Sequence, residues 1–68
     1  YEKSIDCYNK SIALNPDDAL VWNSKGVSLY SIGNYKEAIE CYERSLEINP
    51  DDDVVKQNKA DALKVLGK

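Results

Sequence analysis

Trp22-Asn23-Ser24-Lys25-Gly26-Val27-Ser28-Leu29, followed by Gly33-Asn34-Tyr35-Lys36-Glu37-Ala38, Tyr42 and Asn49-Pro50, holds two helical patterns and the turn between them. Trp22, Lys25, Gly26 and Leu29 recur at the i, i+3, i+4, i+7 spacing of one helical face. Tyr35, Ala38, Ile39, Tyr42, Ser45 and Leu46 form a second such stripe. Gly33 suits the left-handed conformation that ends a helix. Asn34 is expected to cap the next helix, with Glu37 three residues on as its capping-box partner. Glycine in a helix interior costs about 1 kcal/mol relative to alanine. Close approach of another helix is therefore expected at Gly26.

Working outward, the chain matches itself when displaced by 34 positions, without a gap. Tyr1 falls on Tyr35, Ile5 on Ile39, Cys7 on Cys41, Tyr8 on Tyr42 and Ser11 on Ser45. Asn15-Pro16-Asp17-Asp18 falls on Asn49-Pro50-Asp51-Asp52, Lys25 on Lys59, Leu29 on Leu63 and Gly33 on Gly67. Asp6/Glu40, Lys10/Arg44, Ile12/Leu46 and Leu14/Ile48 are like-for-like pairs. The pattern predicts four helices, at about 1–14, 18–31, 35–48 and 52–66, joined by short turns. Pro16 has no N–H and forces Asn15 out of the helical region. The aspartates that follow suit the N-terminus of the next helix. Asp6–Lys10 and Glu40–Arg44 stand at i,i+4 with the acid first, the favourable order for an ion pair. In the last helix Lys56 replaces Trp22 and Ala60 replaces Gly26. Val55, Lys59, Leu63 and Leu66 are expected to keep one face partly apolar, and Gly67 to end the helix.

Sixty-eight residues make one small domain, 1–68, whose core supplies roughly 3–5 kcal/mol. The net charge is −3, and the basic residues are scattered among acids. That argues against nucleic acid or an anionic membrane surface as partner. No apolar run approaches a membrane span, and no signal-peptide pattern appears. The chain does not begin with Met, so a piece of a longer protein is expected. There is no histidine, the commonest general base and metal ligand. Cys7 and Cys41, on equivalent helices, are expected about a helix-packing distance apart, roughly 8–10 Å. That exceeds disulfide reach, so free, semi-buried thiols and a reducing, cytoplasmic setting are expected. Asp51-Asp52-Asp53 lacks the alternating ligands, glycine and glutamate of a calcium loop, and reads as a helix N-terminus. With no nucleophile–base set and no phosphate loop, neither catalysis, nor a metal, nor a cofactor is expected.

The 34-residue period and its residues resemble the tetratricopeptide repeat, a helix–turn–helix unit. Trp22, Gly26, Ala38 and Pro50 match the family pattern, Leu29 and Tyr42 are like-for-like changes, and Gly33 and Tyr35 mark the turn. Lys25 departs from it, and Lys59 repeats the departure. In this phase one complete repeat spans about Ala19–Asp52, preceded by a second helix (B) and followed by a first helix (A). The resemblance implies an all-α fold of antiparallel helix–turn–helix repeats stacked as a short right-handed α-solenoid. It also implies that Gly26 and Ala38 are the small pair through which helices A and B approach. The polar start of the last helix, Lys56-Gln57-Asn58, reads as the cap of an array.

The family's implied function is a protein-binding scaffold with A helices lining a concave groove. Its groove positions fall on Asn23, Val27, Tyr30, Ser31, Gln57, Asp61 and Lys64. The partner is then a protein or peptide. The family's carboxylate clamp is not carried over, because only two A helices are present and Val27 stands where the clamp uses asparagine. A second reading is a structural or self-assembly unit. Helix 1–14 has no A partner, and Tyr1, Ile5, Tyr8 and Leu14 are expected partly bare, a surface that invites a homo-oligomer.

Overall fold

The computed structural model describes residues 2–67, and the side chains of residues 5–67. Tyr1 lies outside the described residues. Four α-helices follow one another: α1 Glu2–Leu14, α2 Ala19–Ser31, α3 Tyr35–Ile48 and α4 Asp53–Leu66. Each packs on the next, and α2 also touches α4. Helices of one strip thus alternate across two layers, the arrangement of a helical repeat solenoid.

The turns repeat as the sequence does. Asn15 N–H donates to the Ser11 carbonyl at 2.8 Å, and Asn49 N–H to the Ser45 carbonyl at 2.8 Å. Asp18 then caps α2, its Oδ1 accepting from the N–H groups of Leu20 (3.1 Å) and Val21 (3.4 Å). Asp52 does the same for α4, accepting from Val54 (3.1 Å) and Val55 (3.3 Å). Both caps have extended backbone, with ψ of 97° and 98°. Each relieves N–H groups that have no partner inside the helix. Asp52→Ala is expected to destabilise the fold by about 1 kcal/mol, read as a lower urea midpoint at unchanged slope; Asp52→Asn should retain most of the stability.

The α2–α3 turn is built differently. Gly33 has φ +86°, the left-handed conformation that costs glycine little. Its N–H donates to the Tyr30 carbonyl (3.1 Å), and Asn34 N–H to the Leu29 carbonyl (2.8 Å). This pair of bonds is a Schellman motif. The expected capping box at Asn34 is not formed: the Asn34 side chain makes no cap hydrogen bond, and its ψ is 68°. The reason is that Asn34 serves both helices. Its position is set by closing α2, which turns its backbone away from the extended geometry that lets Asp18 and Asp52 reach forward.

The core is centred on α3. Ala38, Ile39, Cys41, Tyr42 and Ser45 are all buried, held between Leu29 on α2 and Val55 and Ala62 on α4. Ser45 is 0% exposed; its hydroxyl donates to the Ala19 carbonyl at 2.9 Å and ties α3 to the first turn of α2. Trp22 packs on the edge of the core, and its Nε1 donates to the Pro16 carbonyl at 2.8 Å, pinning the preceding turn.

Three expectations are corrected by packing. Gly26 does approach a neighbour closely, but the atoms nearest to it belong to Tyr42 rather than to Ala38. A Cβ at Gly26 would lie 2.5 Å from Cε1 of Tyr42. In an antiparallel pair Gly26 is level with the middle of α3, where Tyr42 stands, while Ala38 is level with the last turn of α2. Second, the i,i+4 pairs do not form. Among the described residues Arg44 pairs with Glu47 at 3.0 Å and Lys56 with Asp53 at 3.9 Å, both at i,i+3. Arg44 also lies over the Trp22 ring, 5.8 Å from its centroid, and that draws it away from Glu40. Third, α4 buries Val55 and Ala62, whereas Leu63 and Leu66 are 48% and 51% exposed. The smaller Ala62, 0% exposed, is the residue that joins the core cluster here.

Candidate functional site

Two of the clefts on the described surface bear on the site. The larger, about 270 Å³, is lined by Trp22, Lys25, Glu37, Glu40, Cys41 and Arg44, between α2 and α3. Lys25 Nζ lies 5.7 Å from the Trp22 ring centroid. Two cations on one indole explain how lysine replaces an apolar residue here: the stem packs and the ammonium meets the ring face. Two acids and two cations line this cleft, so it presents no net charge to a ligand. Cys41 is buried in its wall and free; Cys7 is free and exposed, rather than semi-buried as expected. Burial raises the Cys41 thiol pKa, against a lowering by Lys25 and further raising by Glu37 and Glu40.

The smaller cleft, about 120 Å³, lies between α2 and α4 and is lined by Val27, Tyr30, Tyr42, Asn58 and Asp61. Of the seven groove residues expected from sequence, it gathers Val27, Tyr30 and Asp61. Asn23 joins indirectly: its Oδ1 accepts from Asn58 Nδ2 at 3.1 Å, linking the two helices. Gln57 Nε2 donates to Asp61 Oδ1 at 3.0 Å. Ser31 donates to the Val27 carbonyl at 3.1 Å, and it and Lys64 are exposed outside the cleft. Tyr30 meets Tyr35 edge-on, with ring centroids 5.1 Å apart.

Asn58 and Tyr42 are the residues that sequence reasoning did not place in a site. Asn58 stands where the complete repeat has Ser24, a position with no groove role in the family pattern. Tyr42 was read as core. It is core, at 2% exposure, yet part of it floors the cleft. Of the residues expected to be bare on α1, Leu14 is 88% exposed, whereas Ile5 and Tyr8 are half-buried, with Ile5 packed on the core.

The Tyr42 hydroxyl has its pKa pushed up to about 12, first by burial and then by Tyr30, Cys41 and Asp61. Its neutral form is the one the fold favours. The sign follows: its contribution to stability is complete below the ordinary tyrosine pKa near 10 and is lost as pH rises from there towards 12. Melting temperature is expected to fall across that window. In a spectrophotometric titration Tyr42 should give a late-ionising signal near pH 12. Tyr42→Phe should remove the late-ionising signal.

Among the described residues no group of three or more His, Cys, Asp or Glu is arranged to hold a metal ion, and no helix is long and apolar enough to cross a membrane. The cleft has no nucleophile with an adjacent base. What it offers is an apolar wall, two tyrosines, an amide pair and one carboxylate, a surface suited to binding.

Comparison with known proteins adds the following. Residues 19–52 match the tetratricopeptide repeat family model, in the same frame as the sequence period, and residues 1–33 match a second model described as TPR repeat. Over 29 residues the chain is 59% identical to the peroxisomal targeting signal receptor of Yarrowia lipolytica, 52% to that of Pichia angusta and 45% to that of Saccharomyces cerevisiae. Each match covers 43% of this chain and 5% of the relative.

Proposed function

The chain belongs to the tetratricopeptide repeat family, and from that premise we propose that it is a non-catalytic protein-interaction module. It holds an extended segment of a protein or peptide partner on the face shared by α2 and α4. The carrying observation is the α2–α4 cleft, where Val27, Tyr30 and Asp61 meet beside the Asn23–Asn58 hydrogen bond. The relatives' description as peroxisomal targeting signal receptors supports a peptide as partner. Free Cys7 and Cys41 support a reducing, cytoplasmic setting.

The test is a selection of peptides from a random library on the 68-residue chain, with a peptide carrying a peroxisomal targeting signal as an added probe. Selected peptides are expected to lose binding to the triple variant Asn23→Ala, Tyr30→Ala, Lys64→Ala. Binding that survives all three changes would put the partner on another face.

A second reading, self-association, is favoured by one observation: Leu14 and Leu20 are 88% and 72% exposed on either side of the first turn. It expects a concentration-dependent dimer or larger species by light scattering. A strict monomer at millimolar concentration removes it.

A further inference from the structure

Resting on the peptide-binding reading above, we infer that the α2–α4 cleft is a subsite for one lysine side chain of the bound partner. The duplication puts Val27 and Asp61 at the same register on adjacent helices, one apolar and one acidic. A volume of about 120 Å³ suits one side chain rather than a length of peptide. A lysine laid there rests its methylene stem on Val27 and the tyrosines and carries its ammonium to Asp61. Tyrosine ring faces attract a cation as well.

Asp61 is free for that role. It is exposed, and among the described residues no cation stands within ion-pair distance of it. Lys64, one turn further along α4, does not line the cleft. The Asp61 carboxylate also acts on the cleft floor, where its charge is one of the causes that raise the Tyr42 pKa. Lysine is favoured over arginine by the state of the carboxylate. Oδ1 already accepts from Gln57, so Oδ2 is left for a single point donor, whereas a guanidinium fork is best matched by both oxygens. An acidic side chain meets repulsion from Asp61. A neutral chain of the same length fills the stem path and leaves the carboxylate unpaired.

The experiment is selection of phage-displayed random dodecapeptides on the chain and on two variants, with circular dichroism as the fold control. Because Asp61 is exposed, both variants are expected to fold. The wild type should enrich lysine at one peptide position, above arginine. Asp61→Asn should lose that enrichment and bind the selected peptide about tenfold more weakly, the expected scale for one charge-assisted hydrogen bond. Asp61→Lys should enrich Asp or Glu at the same position. Peptides that need Asn23 and Tyr30 but show no lysine preference, or that bind Asp61→Asn unchanged, overturn the lysine subsite and leave the binding face standing. Failure to select any peptide that depends on that face overturns both.

Discussion

Replacing Tyr42 with alanine is expected to leave the chain largely unfolded at 25 °C. Tyr42 is 2% exposed and stands at the middle of α3, with Gly26 against its ring from one side and the α2–α4 cleft above it. Truncating a large buried aromatic typically costs about 3–5 kcal/mol, because the cavity left behind collapses only in part. A core of this size supplies about as much in total. The loss is therefore comparable to the whole stability, and cooperative melting should disappear from the circular dichroism signal. Tyr8→Ala is the internal control. Tyr8 is the repeat equivalent of Tyr42, but it is half-buried on α1, which among the described helices packs on α2 alone. Its loss should lower the melting temperature and leave a cooperative transition. Equal losses at the two positions would contradict the central place of α3 in the core.

Ala38→Leu is expected to destabilise by about 1–3 kcal/mol, the usual effect of forcing added methylenes into a packed site. Ala38 is 0% exposed in the first turn of α3, where α3 emerges from the Gly33 turn against the end of α2. The short link between the helices leaves α3 little room to slide outward. Helix propensity does not compensate, since leucine is slightly poorer than alanine. Ala60→Leu, on the exposed side of α4, should change the urea midpoint little, and that contrast separates crowding from any general effect of the substitution. An unchanged midpoint for Ala38→Leu would count against close packing at this position.

The contrast between Gly26 and Ala60 has the same origin. They are repeat equivalents, yet a Cβ at Gly26 meets the Tyr42 ring, whereas Ala60 is exposed on α4. Glycine is tolerated in mid-helix only where a neighbour occupies the missing volume, and alanine returns where none does.

Much of the fold was legible because it is local. The apolar stripes, Pro16 and Pro50, the Asp18 and Asp52 caps and the left-handed Gly33 each act within a few residues of their own position. The 34-residue self-match then supplied the repeat frame. The site was legible in part. Val27, Tyr30 and Asp61 were found because the family pattern marks their register. Asn58 was missed because its importance lies in a partner 35 positions away, Asn23.

What the sequence by itself determined is therefore the set of helices, their ends and the order in which they stack. The tertiary structure alone decided how each helix is turned about its own axis, and with it the partner of each side chain. Gly26 comes nearest to Tyr42 rather than to Ala38, Arg44 chooses Glu47 and Trp22 over Glu40, and α4 buries Ala62 while exposing Leu63. The physical reason is that periodicity specifies a face only to within about one residue's rotation, some 100°. Close packing against a neighbour selects among the remaining choices, and that selection is non-local. The α2–α4 cleft is a product of the same selection, since it exists only where two helices from different repeats meet over the Tyr42 ring.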